Sequence, residues 1–194
     1  MSIRKADAFQ HTLCMLLETG KLSVAAVHKY KKTISYQKSF DLPDYTREGI
    51  QDFLKEEELT YDYDSYVTAV GGDRSTLIPV DLFNNTKADD VFKLNFPEPF
   101  EDIDYNRIAE HGIVNVYELP RWMKSMFVVK FPRSKIVHPV TVLLKGIFAA
   151  PTYSPKIHLY VTENSFHYLI TAKNDLQYYN RFDFTNVADL VYHV

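Results

Sequence analysis

The chain has 194 residues, 46% of them hydrophobic, with a net charge of −3 and a sequence pI near 6.2. That is enough apolar material for one large domain or one and a fraction, and the charge gives no electrostatic case for nucleic acid or an anionic membrane as a partner. Cys14 is the only cysteine, so no internal disulfide can form and a reducing compartment is expected.

The N-terminal apolar run, Leu13 to Leu17, is too short for a signal-peptide core. Across a tight turn at Thr19-Gly20 the alternating residues Leu13, Met15 and Leu17 match Leu22, Val24 and Ala26, and Thr33 to Phe40 offers a third strand. Cys14 in this run reads as a buried, inert thiol, because Leu13 and Met15 flank it. Lys29, Lys31, Lys32 and Lys38 read as a solvated strand edge, since acidic residues follow closely. Asp44 is placed to cap a helix whose buried stripe is Ile50, Phe53 and Leu54, and Glu56, Glu57 and Glu58 read as its solvated continuation, with no second cluster at metal-ligand spacing. Tyr66 to Val70 is a buried strand ending in Gly71-Gly72, and Pro79 with Val80 to Phe83 predicts a short helix. Phe92 to Phe96 and Val114 to Leu119 read as strands, separated by Pro97 and Pro99. Pro120 opens a helix carrying Trp122, Met123, Met126 and Phe127, and Pro139 opens another running through Ile147. The apolar stretch Val140 to Ala150, broken by Lys145, is far short of a membrane span, so a cytoplasmic protein is expected.

After Pro151 and Pro155 the alternation becomes sharper. A turn at Glu163-Asn164 pairs Val161 with Phe166, Leu159 with Tyr168 and Ile157 with Ile170, leaving one face of the hairpin wholly apolar. A second turn at Ala172-Lys173-Asn174, with Asn174 left-handed, pairs Ile170 with Leu176 and Tyr168 with Tyr178, and the third strand runs to Phe184. Asn186 then caps a helix with Asp189 in its first turn and an apolar stripe of Val187, Leu190, Val191 and Val194. That stripe is still running at the last residue, so the helix either packs on its own domain or belongs to a longer polypeptide.

The order of hairpin, third strand and helix thus occurs at both ends, a duplication at about half-chain spacing. It predicts an α/β protein with a mixed sheet, in which ribonuclease-H-like units are repeated as in actin-like proteins. Residues 1–150 would form the first unit with its connecting helices, and residues 151–194 the three strands and one helix that begin a second, incomplete one. The run Ser75-Thr76-Leu77-Ile78-Pro79 with Leu82-Phe83, the later Asn115-Val116-Tyr117, and Leu176-Gln177-Tyr178-Tyr179-Asn180-Arg181-Phe182 with Asp189 and Tyr192 resemble the bacterial domain of unknown function 3822. The resemblance spans Ile3 to Val194. It implies a fold similar to the actin-like ATPases, in a family whose members usually continue beyond the point where this chain stops.

Nucleotide chemistry in such a fold needs an acid at a hairpin mouth and glycines through which backbone amides approach phosphate. Glu18-Thr19-Gly20 has that outline with glutamate in place of aspartate, whereas Glu163-Asn164-Ser165 lacks the glycine. The doublet Gly71-Gly72, followed by Asp73 and Arg74, reads as a strand-ending turn or as a phosphate cradle without a Walker lysine. His158 and His167 share the polar face of the terminal hairpin, but no third ligand accompanies them. Tyr160, Tyr178 and Tyr179 crowd the last strands, which suits core packing or a protein interface. No catalytic, cofactor-binding or metal-ligating residue is therefore assigned, and no cofactor. The preferred expectation is a non-catalytic actin-like fold that binds or scaffolds a protein partner, with self-association open. The alternative is an ATPase or kinase using Glu18 or Glu163, and a ribonuclease-H-like nuclease ranks third because the first strands carry no carboxylate cluster.

Overall fold

A computed structural model describes residues 3–18, 20–42, 45–83, 88–150 and 153–193. The chain divides into two units, residues 1–142 and 143–194, and each is described by itself.

In the first unit β1 (His11–Glu18), β2 (Lys21–His28) and β3 (Ile34–Asp41) form an antiparallel meander. Leu13 faces Ala26, Met15 faces Val24 and Leu17 faces Leu22, the register that the alternation demands. Gly20 closes the first turn at φ 80°, a left-handed backbone that costs glycine nothing; Thr19 lies outside the described residues. Helix α1 (Arg47–Phe53) follows. Its cap is Thr46, whose hydroxyl accepts the Gly49 N–H at 3.2 Å; Asp44, the cap expected from the sequence, lies outside the described residues. Strand β4 (Ser65–Ala69) then adds parallel to β1 on the edge opposite β2.

A smaller antiparallel sheet interrupts this pattern. Strands β5 (Ser75–Pro79), β6 (Ile103–Ile108) and β7 (Ile113–Glu118) pair in the order β5-β7-β6, with α2 (Ala88–Asn95) between β5 and β6 in sequence. Two expectations are corrected here. Phe92 to Phe96 belongs to α2 and its C-terminal edge rather than to a strand: Ala88, Phe92 and Phe96 recur every fourth residue and pack on Val114 and Val116, while Leu94, which gave the appearance of alternation, is 85% exposed. Val80 to Phe83 makes overlapping turns instead of an α-helix, since Leu82 donates to Pro79 and Phe83 to Val80. Strands β5, β6 and β8 (Lys135–Val137) carried too little hydrophobic alternation to be read as strands.

Helix α3 (Arg121–Lys130) precedes β8, and α4 (Pro139–Phe148) follows it. Strand β8 pairs parallel with β4, so the large sheet has the order β3-β2-β1-β4-β8, and its parallel half needs crossover segments to cover it. The core lies on the inner face of β1 and β2. Leu13, Met15, Leu17, Leu22, Val24 and Ala26 are all at most 2% exposed there, under Ile50 and Leu54 from the α1 segment and Met123, Met126 and Phe127 from α3. Each large side chain so buried contributes about 1.5–3 kcal/mol.

Gly71 has a packing role. A Cβ at this position would lie 2.2 Å from Cδ2 of His138, so the buried ring would have to shift. His138 itself is 3% exposed, with its ring against Tyr117 at 4.7 Å. The Val140 N–H donates to its Nδ1 at 3.3 Å, which leaves Nε2 as the N–H that donates to the Gly72 carbonyl at 3.2 Å. Its backbone N–H donates to Asn106 Oδ1, which also accepts from Thr141, and Thr141 accepts from Asn115. This chain of buried bonds ties the small sheet to the start of α4.

The second unit holds β9 (Lys156–Val161), β10 (Ser165–Ala172), β11 (Asp175–Asp183) and α5 (Val187–His193). Val161 faces Phe166, Leu159 faces Tyr168 and Ile157 faces Ile170 as the sequence predicts. The second hairpin differs: Ile170 faces Tyr178, Tyr168 faces Asn180 and Thr171 faces Leu176. A two-residue turn in which Lys173 and Asn174 both have positive φ, 54° and 64°, combines with a bulge beside Ile170 to move the pairing along β11. Asn186 caps α5 by accepting the N–H of Ala188 and Asp189, and the Asp189 carboxylate accepts from Thr185. Those bonds to Thr185 and Asn186 hold the Asp189 carboxyl below its ordinary pKa. The side chains of Leu190 and Val194 lie outside the described residues.

Aligned on their turns, the two hairpins match position for position. Leu13, Met15 and Leu17 correspond to Ile157, Leu159 and Val161, yet the first three are 0–2% exposed and the second three 57%, 43% and 49%. Helices α1 and α3 cover the first face. In the second unit α5 follows the sheet, with Val187 76% and Val191 67% exposed.

The same apolar pattern therefore stabilises the two units unequally. Met15→Ala is expected to cost about 2–5 kcal/mol in denaturant unfolding and Leu159→Ala less than about 1 kcal/mol; equal losses would contradict this account. Gly71→Ala is expected to cost about 1–3 kcal/mol through overpacking, and much less when introduced into His138→Ala, a non-additivity that a double-mutant cycle measures directly.

Candidate functional site

Helices α1 and α3 dock side by side because both bury apolar residues on the β1–β2 face. In the α1 segment Ile50 and Leu54 point inward, which turns Arg47, Gln51 and Lys55 toward α3. In α3 Met123 and Phe127 are buried, which places Trp122, Ser125, Met126 and Val129 along the side that faces α1. The groove between them has a volume of about 750 Å³.

Its floor is apolar, formed by Leu54, Trp122 and Met126, with Val129 on the rim at 80% exposure. Its lips are basic. Arg47 and Lys55 stand on one side and Arg121 and Lys130 on the other, and no carboxylate lines the groove among the described residues. Lys55 pairs with Asp52 and Arg121 with Asp102, each at 2.6 Å, but the cations of both pairs are largely exposed, so water screens them and the pairs stabilise little. Arg47 and Lys130 meet no carboxylate among the described residues. Near α3, the Tyr45 hydroxyl donates to Met123 Sδ at 3.9 Å, and burial with Asp73 nearby pushes its phenol pKa up to about 12, so it stays neutral.

The sequence places Trp122 and Met126 on a helix opened by Pro120 and does not single out Arg47, Lys55, Arg121 or Lys130. The available signal was cations about two turns apart on the flank of each amphipathic helix. Knowing that the two flanks face each other required the fold.

Several of the positions expected to bear on nucleotide are held by internal contacts. Glu18 ends β1 opposite Lys21, and the Gly20 carbonyl accepts the Leu42 N–H at 2.8 Å. In the second hairpin Ser165 is 4% exposed and bonded to Thr162. Gly71 accommodates the His138 ring. Arg74 forms an ion pair with Glu118 at 2.6 Å, with the two side chains 28% and 14% exposed, and also donates to the Pro99 carbonyl; Glu118 in turn accepts the Glu101 N–H at 2.7 Å. Removing Arg74 to a phosphate would leave a largely buried carboxylate behind, a cost that disfavours the exchange.

The remaining candidates are dispersed. His158 and His167 do share one face of the terminal sheet, but His158 bonds to Thr171 at 2.9 Å while His167 bonds to Tyr179 and stacks on its ring. Tyr160 lies on the other side of His167, 5.8 Å away, and Tyr178 meets Tyr168 edge to face. No group of three or more His, Cys, Asp or Glu side chains placed to hold a metal occurs among the described residues. Cys14 is half-buried on β1 and desolvation pushes its thiol pKa up, away from nucleophile chemistry. Lys29 pairs with Asp64 and Lys38 with Glu56, while Glu57 accepts the Tyr61 hydroxyl. No helix among the described residues is long and apolar enough to cross a membrane.

A solved protein of unknown function with an actin-like ATPase fold, from Bacteroides thetaiotaomicron, is similar over 100% of this chain and 77% of its own, at 18% identity and a TM-score of 0.87. A structure of the PilM-PilN type IV pilus biogenesis complex is similar over 89% of this chain and 61% of the other, at 12% identity and a TM-score of 0.53. At these identities the likeness is one of fold, and the fold is that of the actin-like ATPases. No curated protein matches the sequence. The family model described as "Protein of unknown function (DUF3822)" matches residues 3–194, and the chain belongs to that family.

Proposed function

We propose that this protein is a non-catalytic actin-like fold that acts as a protein-binding or scaffolding module in the cytoplasm. The observation that carries the reading is the contrast between two regions of the first unit. At the turn that the sequence offers as a phosphate cradle, Gly71 and Gly72 pack on and bond to His138, and Arg74 is paired with Glu118. Between α1 and α3, by contrast, apolar and basic side chains stand open to solvent. Exposed apolar groups rimmed by charge mark surfaces that associate. The structural neighbour described as the PilM-PilN complex is consistent with a fold of this type working with a protein partner.

Titration calorimetry with magnesium and ATP or ADP is expected to give no saturable heat at micromolar concentration. Phosphate release is expected to stay at the buffer rate for the wild type, for Glu18→Gln and for Glu163→Gln alike. A stoichiometric nucleotide complex, or a wild-type rate abolished by either substitution, would replace this reading with that of an ATPase or kinase.

A further inference from the structure

We infer that the groove between α1 and α3 is a docking site for an acidic amphipathic helix of a protein partner; this rests on the binding-module reading above. Charge identifies the occupant. The whole chain carries a net charge of −3, yet this groove is lined by four cations and, among the described residues, no carboxylate. A basic partner surface is repelled by it, and an acidic one is steered toward it.

Spacing identifies the shape of the occupant. Arg47 and Lys55 are eight residues apart along the α1 segment, and Arg121 and Lys130 nine along α3, which separates the cations of each lip by on the order of 12–14 Å. One phosphate or carboxylate cannot engage both ends of either lip. Two carboxylates about two turns apart on a helix can, with an apolar stripe between them laid on Trp122, Met126 and Val129. Val129, 80% exposed, gives that stripe apolar contact at the rim. The groove belongs to one unit and is built on helices held by the core, so it is formed before the partner arrives.

Trp122 is the only tryptophan in the chain, so its fluorescence reports on the groove without a label. The probe is a synthetic helical peptide with Leu at i, i+3, i+4 and i+7 and Glu two turns apart on both flanks, tested beside the same peptide with Lys for Glu and beside inorganic tripolyphosphate. The Glu peptide is expected to shift Trp122 emission to the blue in a saturable way and the Lys peptide to leave it unchanged. Affinity is expected to fall as salt is raised from about 50 to about 500 mM. Arg47→Glu with Lys130→Glu is expected to weaken it at least about tenfold, and Arg47→Gln with Lys130→Gln by less, both variants keeping the wild-type circular dichroism and unfolding midpoint. The inference is overturned by the absence of a saturable response, by binding indifferent to both double variants, or by tripolyphosphate saturating the site when the peptide does not. Such a failure in a protein that also binds no nucleotide removes only this partner class. Nucleotide binding in calorimetry removes the binding-module reading itself.

Discussion

The apolar inner face of β1 and β2 is the constraint from which the rest of the first unit follows. Leu13, Met15 and Leu17, with Leu22, Val24 and Ala26 beside them, must be shielded from water, and no strand can shield a face of its own sheet. Helices α1 and α3 provide the cover, and each does so by turning one stripe inward. That rotation fixes where their other side chains stand: Arg47 and Lys55 on one flank, Trp122 and Val129 on the other. The groove is thus a geometric consequence of how the core is closed. The duplicated face in the terminal sheet shows what the same pattern looks like with less cover, since Ile157, Leu159 and Val161 are substantially exposed at the matching positions.

A second consequence concerns chemistry. Glycine turns let backbone amides approach phosphate, and the Gly71-Gly72 turn of this chain is engaged in packing. Gly71 lacks a side chain so that the His138 ring can lie against it, and His138 closes a polar network through Asn106, Thr141 and Asn115. Arg74 is held by Glu118, whose second oxygen orders the backbone at Glu101. Buried charges and polar atoms that satisfy one another are costly to separate. These contacts give the glycines and the arginine structural reasons to be present.

Much of the fold was legible in the sequence wherever burial is one-sided. The strands β1, β2, β9 and β10 alternate cleanly, and their registers follow because a slip by one residue would invert every side chain. Legibility failed where pattern and period conflict. Phe92, Leu94 and Phe96 imitate a strand while Ala88, Phe92 and Phe96 obey a helix, and only the exposure of Leu94 resolves the two. The short strands β6 and β8 carry mixed polar residues and owe their conformation to their neighbours. The bulge on β11 shifts a pairing that turn length alone could not give. The candidate site was illegible for a different reason: its two lips are some seventy residues apart in the chain, and each reads by itself as the ordinary solvated flank of an amphipathic helix.

The fold of an actin-like ATPase is combined here with a Gly71-Gly72 turn and an Arg74 side chain that serve packing. A crystal of the full chain soaked in millimolar magnesium and ATP tests it most directly. The expected map shows no nucleotide, the Arg74–Glu118 pair intact and the His138 ring in place against Gly71. Ordered phosphate density at Gly20 or at Gly71-Gly72, with Arg74 released from Glu118, would contradict it.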